Sequence, residues 1–425
     1  MSAEEYGGYS YYISILGIAS MICAVFFTPA VFYTGLGKFP RDRDRFSSIA
    51  VTLSCALSLC ICAVLFTFSD IFGIKRQYII IMLLQLLCDS VVTAELMKCK
   101  FFYNYKRVVR ITLFESALSA ILSMTLIFLL GLGATGRILG LLISAMLAAL
   151  ALSAGRKKKW ENAKSEGIFL LKNALPLLMA VIARAVVGWA DKLIVKAKMG
   201  EAALAKYSVA HTVGAAAFAL IGALSSALGP WIIRRLKRGD GDSVALIIGE
   251  ASGLISWGSV AIVALAPELF SFLAPEGYKE ALYAIAPLAL SSLPFFLFNT
   301  ASIFAGFFEM TKTVSLASAM GAAASVTLGI FLVPRVGYLG GGLACLAAET
   351  VMYLSCARAV GRKSDAARES LSVDRETLLS LIFGCSFIPL YDLPALRILM
   401  LTVPVCEALR HGFTCLPLIK EKQPL

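Results

Sequence analysis

Charged residues are scarce in this chain of 425 residues. They make up 16% of the sequence, while apolar residues make up 59%. A soluble globular protein carries roughly 25% charged residues and about 45–50% apolar ones. The scarcity of charge therefore excludes a soluble enzyme of two or three domains, and the high apolar content excludes intrinsic disorder. Together they predict a polytopic membrane protein.

Motifs for metal ions and disulfides are lacking as well. The sequence has two histidines and 11 cysteines, an odd number, and no two cysteines have the CxxC spacing. Neither a zinc site nor a disulfide framework is supported by this pattern. The polar stretches are short, the longest being 155–167 and 358–376, so no extramembrane catalytic domain can be built from them. We expect a protein that is not an enzyme, without catalytic residues, metal or cofactor.

Thirteen long apolar runs are present. A bilayer core about 30 Å thick needs roughly 20 apolar residues in a helix. The runs are continuous and do not alternate with period two, which favours helices over a membrane barrel. The fold predicted is all-α, with about 13 transmembrane helices. The runs lie at about 9–34, 47–69, 77–97, 111–131, 137–154, 168–195, 207–232, 244–266, 280–306, 314–333, 338–357, 377–391 and 394–417.

Basic residues set the expected orientation. The net charge is +12. On a soluble protein this would suggest nucleic-acid binding, but here the lysines and arginines concentrate in every second loop, including 38–45, 98–110 and 156–164. Cytoplasmic loops carry such an excess. We expect a cytoplasmic (inner) membrane location with a cytoplasmic C-terminus, an external N-terminus and no nucleic-acid partner.

An internal repeat predicts two related helical bundles. Tyr-Ser opens the runs at 9 and at 207, and 123–126 (SMTL) matches 325–328 (SVTL) at nearly the same offset. Such parallel repeats are common in transporters, which bind substrate between the halves. The predicted domains are an N-terminal bundle of five helices (1–158), a C-terminal bundle of six helices (159–360) and an extra helix pair (361–425). The counterpart of run 168–195 would precede Met1, so the first helix of a fourteen-helix design is expected to be missing.

Several motifs resemble those of the polysaccharide transporter (O-antigen and oligosaccharide flippase) family. This family belongs to a superfamily that also contains multidrug exporters and lipid II flippases. The resemblance covers about 4–360, in order. The matching motifs are ADKLIV at 190–195, MG at 199–200, KYSVA at 206–210, GPW at 229–231, LVPRVGYLGGGLA at 332–344 and EEYGGYS at 4–10.

The resemblance implies a V-shaped pair of bundles and transport by alternating access. The implied substrate is a polyprenyl-pyrophosphate-linked oligosaccharide, such as an O-antigen, capsule or exopolysaccharide repeat unit. Its charged headgroup cannot cross hydrocarbon alone, because burial of an unpaired charge costs many kcal/mol. A cation-coupled multidrug exporter of the same superfamily is the alternative. A membrane glycosyltransferase or polymerase is a weaker one, because no large polar loop is present.

Ionisable residues inside a span are costly and indicate function. In the run 168–195, Arg184, Gly188, Asp191 and Lys192 fall on one helical face at 100° per residue. We predict that Arg184, Asp191 and Lys192 form the substrate site, with Arg184 binding phosphate oxygens bidentately. The alternatives are an Arg184–Asp191 pair that only joins helices, and a Lys192 that extends to the interface.

Two carboxylates of the first bundle are candidates for ion coupling. Asp89 shares a helical face with Thr93, and Glu115 lies inside the next run. A buried carboxylate can carry H⁺ or Na⁺ through a transport cycle. The alternative is that Asp89 and Glu115 pair with a nearby cation such as Arg110.

Two prolines interrupt the run 280–306. Pro287 and Pro294 each remove a backbone hydrogen bond and kink a helix. We predict a hinge there, with a static kink as the alternative. The glycines at 340–342 are expected to permit close helix packing, and His211 is expected to be a packed polar residue.

Overall fold

The computed structural model describes residues 2–153, 164–373 and 375–420. All regular elements within these ranges are helical, which confirms the all-α prediction. The chain divides into two compact units, Met1–Ala185 and Val186–Leu425. The predicted bundle boundary at 158/159 lies outside the described residues, and the three-part domain division stays a prediction.

Within the described residues, the first unit contains seven helices and most of an eighth. A 3-10 turn, Ala24–Phe27, separates α1 from α2. The helices are α1 (Ala3–Cys23), α2 (Pro29–Lys38), α3 (Arg43–Thr67), α4 (Ser69–Phe72), α5 (Arg76–Phe101), α6 (Tyr105–Phe128), α7 (Gly133–Ser153) and α8 (Lys164–Met199), which continues into the second unit.

Ten further helices lie in the described part of the second unit. Two 3-10 segments, Glu276–Ala284 and Ile388–Leu390, adjoin them. The helices are α9 (Glu201–Lys237), α10 (Gly241–Ala264), α11 (Ala266–Leu273), α12 (Ile285–Leu290), α13 (Ser292–Phe307), α14 (Thr311–Val336), α15 (Tyr338–Gly361), α16 (Asp365–Ser370), α17 (Arg375–Ser386) and α18 (Pro394–Lys420).

Ten helical stretches of the described chain are long and apolar enough to cross a membrane. They coincide with ten of the thirteen predicted runs and confirm a multi-pass membrane protein. The runs 207–232, 377–391 and 394–417 are helical but are not among the ten. Their membrane crossing stays a prediction.

The first predicted run is a broken helix and not the continuous one expected from its apolar sequence. Thr28 has an extended backbone with φ −58° and ψ 139°, and Pro29 begins α2. Proline has no N–H to donate to the preceding turn, so it is well placed at a helix start and poorly placed inside one. The chain therefore leaves the α-helical path from Ala24 to Thr28, in the middle of a membrane span.

Aromatic packing and one ion pair hold the start of α8 within the first unit. Phe46 stacks on Phe39 with ring centroids 5.7 Å apart, and Phe169 of α8 lies against both rings. Beside them, Arg45 Nε of α3 donates to the fully buried Glu166 Oε1 of α8 at 2.9 Å. Arg45 Nη2 contacts the same Oε1, while Glu166 Oε2 accepts from the Ser165 hydroxyl, so both oxygens of the buried carboxylate have donors.

The C-terminal helices pack on α10 through polar contacts. The Ser380 hydroxyl bonds to Ser256, and the His411 ring, Nδ1, lies 2.7 Å from Glu250 Oε2. Arg397 of α18, 3% exposed, pairs with Glu268 of the adjoining α11. Gly253 permits the approach of α18, because a Cβ there would lie 2.6 Å from the His411 ring.

Replacing Arg45 with Gln should destabilise the first unit, because Glu166 would keep its buried charge and lose its cation. An unsatisfied buried group of this kind costs about 1–3 kcal/mol. The measurement is thermal unfolding of the purified full chain in detergent.

Lys98→Gln is the matched control, since Lys98 pairs with Asp44, which is 71% exposed. Exposed pairs contribute only about 0–1 kcal/mol. Equal melting midpoints for the Arg45→Gln and Lys98→Gln proteins would contradict the structural role of Arg45.

Candidate functional site

The turn between α8 and α9 brings the candidate site together. Gly200 has φ +90° and ψ 179°, a conformation that residues with a Cβ rarely adopt. The chain reverses there, so that residues at similar distances before and after the turn lie side by side. Asp191 of α8 and Tyr207 of α9 are related in this way.

The buried Asp191 and Tyr207 form a polar cluster with the half-buried His211 in the second unit. The Tyr207 hydroxyl donates to Asp191 Oδ2 at 2.7 Å. His211 Nε2 lies 3.8 Å from the same oxygen, and its ring meets the Tyr207 ring edge-on with centroids 6.2 Å apart. Asp191 is 1% exposed and Tyr207 is fully buried. The predicted site aspartate is thus held by α9.

One oxygen of Asp191 is unsatisfied. Within the described chain, Asp191 Oδ1 is buried and has no hydrogen-bond partner, and the nearby Ser208 Oγ has none either. Buried polar atoms without partners are rare and costly, and they often occur where a proton, ion or water binds. The cluster can accept a proton or bind a cationic or hydroxyl-bearing group.

Lys192 and Arg184 are both half-buried. The Lys192 ammonium lies 4.6 Å from the centroid of the Trp189 ring, a cation–π distance. Arg184 belongs to the first unit, while Asp191 and Lys192 belong to the second. The hydrogen bond that Asp191 accepts comes from Tyr207 and not from Arg184.

Glycines of α15 set the position of Tyr207. A Cβ at Gly341 would lie 3.0 Å from atoms of the Tyr207 ring, and one at Gly342 would lie 2.7 Å from Pro287 Cγ. A Cβ at Gly340 would lie 2.6 Å from the backbone of Leu332. The three glycines therefore permit close approach of α9, α12 and α14, as the small-residue pattern predicted.

The predicted hinge prolines flank a break in the second unit. Pro287 lies in α12 and Pro294 in α13, and both are buried. The Ser291 N–H still donates to the Pro287 carbonyl at 3.0 Å, whereas Pro294 has no N–H to donate one turn back. The geometry shows a kink with tight packing against α15, and motion at this point stays a prediction.

Asp89 lines a small polar cavity beside the break in the first span. The cavity measures about 10 Å³, room for about one water molecule. Ser54 Oγ lies 2.8 Å from Ser90 Oγ and donates to the Cys23 carbonyl at 2.9 Å. The lining residues are Ser20, Cys23, Ala24, Phe27, Ser54, Leu86, Asp89, Ser90 and Thr93. Asp89 and Thr93 thus share one face, as predicted.

Neither Asp89 nor Glu115 forms an ion pair within the part of the chain that the structure describes. Glu115 is half-buried on α6 and does not line the Asp89 cavity, although the two carboxylates lie close enough to interact electrostatically. The alternative pairing with Arg110 is therefore not seen. In the described ranges, no group of three or more His, Cys, Asp or Glu side chains is arranged to hold a metal ion.

The contact of Tyr207 with Asp191 was not predicted from the sequence, and His211 was expected only to be a packed polar residue. The signal that could have found them is their spacing around Gly200. Asp191 precedes the turn by about as many residues as separate the turn from Tyr207, and His211 follows one helical turn later.

Comparison with known proteins gives a family and a fold. A family model described as "Polysaccharide biosynthesis protein" matches residues 1–234. A search of the curated proteins gives no match.

Solved structures similar to this chain are transporters. An inward-facing multidrug resistance MATE family transporter of the MOP superfamily aligns with a TM-score of 0.67 and 13% identity, covering 85% of this chain and 91% of its own. The lipid II flippase MurJ, in an inward closed conformation, aligns at 0.65 and 16%, covering 96% of each chain. The MATE transporter VcmN of Vibrio cholerae aligns at 0.58 and 15%, covering 86% and 89%. At these identities the likeness shows the fold.

Tyr207→Phe should lower the free energy of unfolding by about 1–3 kcal/mol, because the buried Asp191 carboxylate loses its hydroxyl donor. In an Asp191→Asn background the same change should cost less, since a neutral amide is less costly to leave unpaired. A double-mutant cycle on thermal unfolding measures the difference.

Tyr338→Phe is the control, because the half-buried Tyr338 hydroxyl has no hydrogen-bond partner in the ranges that the structure covers. Additive effects of Tyr207→Phe and Asp191→Asn would show that the two side chains are not coupled.

Proposed function

Because this chain belongs to the polysaccharide biosynthesis protein family, we propose that it is a flippase that moves a polyprenyl-pyrophosphate-linked oligosaccharide across the cytoplasmic membrane by alternating access. The family match on a chain with the fold of MOP superfamily transporters is the observation that carries the proposal. The substrate would be an O-antigen, capsule or exopolysaccharide repeat unit. The protein would act as a transporter and not as an enzyme.

The chemistry of such a substrate fits the ionisable residues of α8. A pyrophosphate headgroup needs cations and hydrogen-bond donors in place of water. Arg184 would bind the phosphate oxygens, because a guanidinium can make two parallel hydrogen bonds to them. Lys192 would add a second cation, held beside Trp189.

Asp191 would serve the same site indirectly. Its carboxylate is 1% exposed and accepts a hydrogen bond from Tyr207, so repulsion keeps it from direct contact with a phosphate. We assign it the task of fixing α8 against α9. A change in the protonation of Asp191, Tyr207 or His211 would alter the contact between α8 and α9 during transport.

Coupling to H⁺ or Na⁺ would use the first unit. Asp89 lies in a cavity with hydroxyl groups from three elements and next to the 3-10 turn of the first span. Broken membrane helices place backbone carbonyls where transported or coupling ions bind. Glu115 would modulate this site through its charge, and Pro287 and Pro294 would act as a hinge. The C-terminus would be cytoplasmic.

A cation-coupled multidrug exporter is the second candidate. The multidrug transporter that aligns with a TM-score of 0.67 supports it, as do the half-buried carboxylate of Asp89 and the buried one of Asp191. Such an exporter would bind organic cations through a carboxylate. It would not need Arg184, which repels cations, and this residue distinguishes the two candidates.

Deletion of the gene should abolish the surface polysaccharide of its host, and the wild-type gene should restore it. Arg184→Ala should fail to restore it, and Arg184→Lys should restore it in part, because a lysine keeps the charge without the bidentate geometry. Polysaccharide yield and the lipid-linked intermediate on each leaflet are the measurements.

Arg335→Ala is the matched control, because Arg335 caps its own helix through the Phe331 carbonyl at 2.9 Å. A deletion strain with normal polysaccharide and raised sensitivity to cationic dyes would favour the multidrug exporter. Normal polysaccharide with Arg184→Ala would remove Arg184 from the site and leave the family assignment unchanged.

Asp89→Asn should abolish the response of transport to an imposed H⁺ or Na⁺ gradient while sparing exchange down a substrate gradient, since the amide cannot carry a charge through the cycle. Transport by the purified chain in vesicles with and without the ion gradient measures this. Asp70→Asn, an exposed aspartate of the same unit, is the control. An Asp89→Asn protein that still responds to the gradient would exclude Asp89 from coupling.

A further inference from the structure

An open groove lies between α6 and α7 in the first unit. Its volume is about 510 Å³, within the range of small-molecule sites. Arginines line one part of the groove and apolar side chains line the rest. The principal lining residues are Arg107, Arg110, Ile111 and Phe114 of α6, and Ala148 and Ala151 of α7.

The groove results from the spacing of residues along α6 and from small side chains on α7. Arg107 and Ile111, like Arg110 and Phe114, are four residues apart and so lie on one face of α6. Ala148 and Ala151 are one turn apart on α7, and their small side chains leave the groove open. The result is a strip with cations at the start of α6 and apolar walls beyond.

The two arginines differ in how they are held. Arg107 Nη2 pairs with Glu95 of α5 at 2.9 Å, which fixes its direction. Arg110 is exposed, and its Nε donates to the Lys106 carbonyl at 3.4 Å. The terminal nitrogens of Arg110 have no partner in the described residues. None of the described residues that line the groove is a carboxylate, so among them Arg110 contributes a positive charge without a paired carboxylate.

The groove opens on the apolar outer surface of α6. This helix is a candidate membrane span of which only 6% is buried inside the protein. Val109, Leu113 and Phe114 are each more than half exposed, at 54%, 64% and 56%. A surface this apolar on a membrane protein contacts lipid chains. The arginines, in the first two turns of the span, lie where headgroups are expected.

We propose that this groove binds an anionic glycerophospholipid of the surrounding bilayer. Its phosphate would accept hydrogen bonds from Arg110 and Arg107, and one acyl chain would lie along Ile111, Phe114 and Ala151. Basic pockets between membrane helices bind anionic headgroups in this way. The apolar wall selects a lipid over free phosphate, and the arginines select an anionic lipid over a zwitterionic one. The inference does not rest on the proposed transport substrate.

Native mass spectrometry of the full chain in detergent, titrated with phosphatidylglycerol or phosphatidylcholine, tests the site. We expect tighter binding of phosphatidylglycerol, and about fivefold weaker binding of it to Arg110→Gln, the effect of one cation near a headgroup. Ala151→Phe should weaken both lipids by filling the groove without a change of charge. Arg41→Gln, an exposed arginine outside the groove, should bind like the wild type.

Three outcomes would overturn the proposal. They are equal binding of phosphatidylglycerol to the wild type and Arg110→Gln, displacement of the lipid by inorganic phosphate alone, and displacement by polyprenyl phosphate at much lower concentration. The last would assign the groove to a polyprenyl lipid. If Arg110→Gln fails to fold, Arg110→Lys and Ala151→Phe test the lipid site in its place. Arg110→Lys keeps the positive charge, and Ala151→Phe keeps the arginine while it fills the groove.

Discussion

Hydrocarbon cannot solvate a charge, and this constraint determines how the polar residues of the chain are arranged. Several ionisable groups near the spans have a specific partner on another helix. Arg45 pairs with Glu166 in the first unit, and Arg397 with Glu268 in the second. Breaking such pairs leaves a buried charge uncompensated, which costs far more than the pair contributes. They fix which helices pack together.

Asp191 and Asp89 depart from this arrangement in different ways. Asp191, inside α8, keeps one oxygen without a partner among the described residues, and Asp89 lines a water-sized cavity beside the broken first span. Polar groups without partners are kept inside membrane proteins where function requires them. For this reason we propose that Asp89 couples transport to an ion and that α8, which carries Asp191, binds the substrate.

The sequence allowed the helical fold, the family and ten spans to be predicted, because long apolar runs and the ADKLIV motif are local signals. It did not reveal the break before Pro29, since the apolar content of 9–34 is unchanged across it, nor the shortness of the helix at 375–386. The Tyr207–Asp191 bond was missed because it depends on which helices are neighbours. The groove beside Arg110 depends on the small side chains of Ala148 and Ala151 on a different helix, and helical periodicity within α6 gives no sign of them.

The most direct test of the account is translocation by the purified chain in proteoliposomes. A polyprenyl-pyrophosphate-linked oligosaccharide carrying a fluorophore would be followed by the access of a membrane-impermeant quencher. The account predicts transfer between leaflets with the wild type and loss of transfer with Arg184→Ala. Transfer at the rate of protein-free vesicles, together with uptake of organic cations by the same preparation, would contradict it.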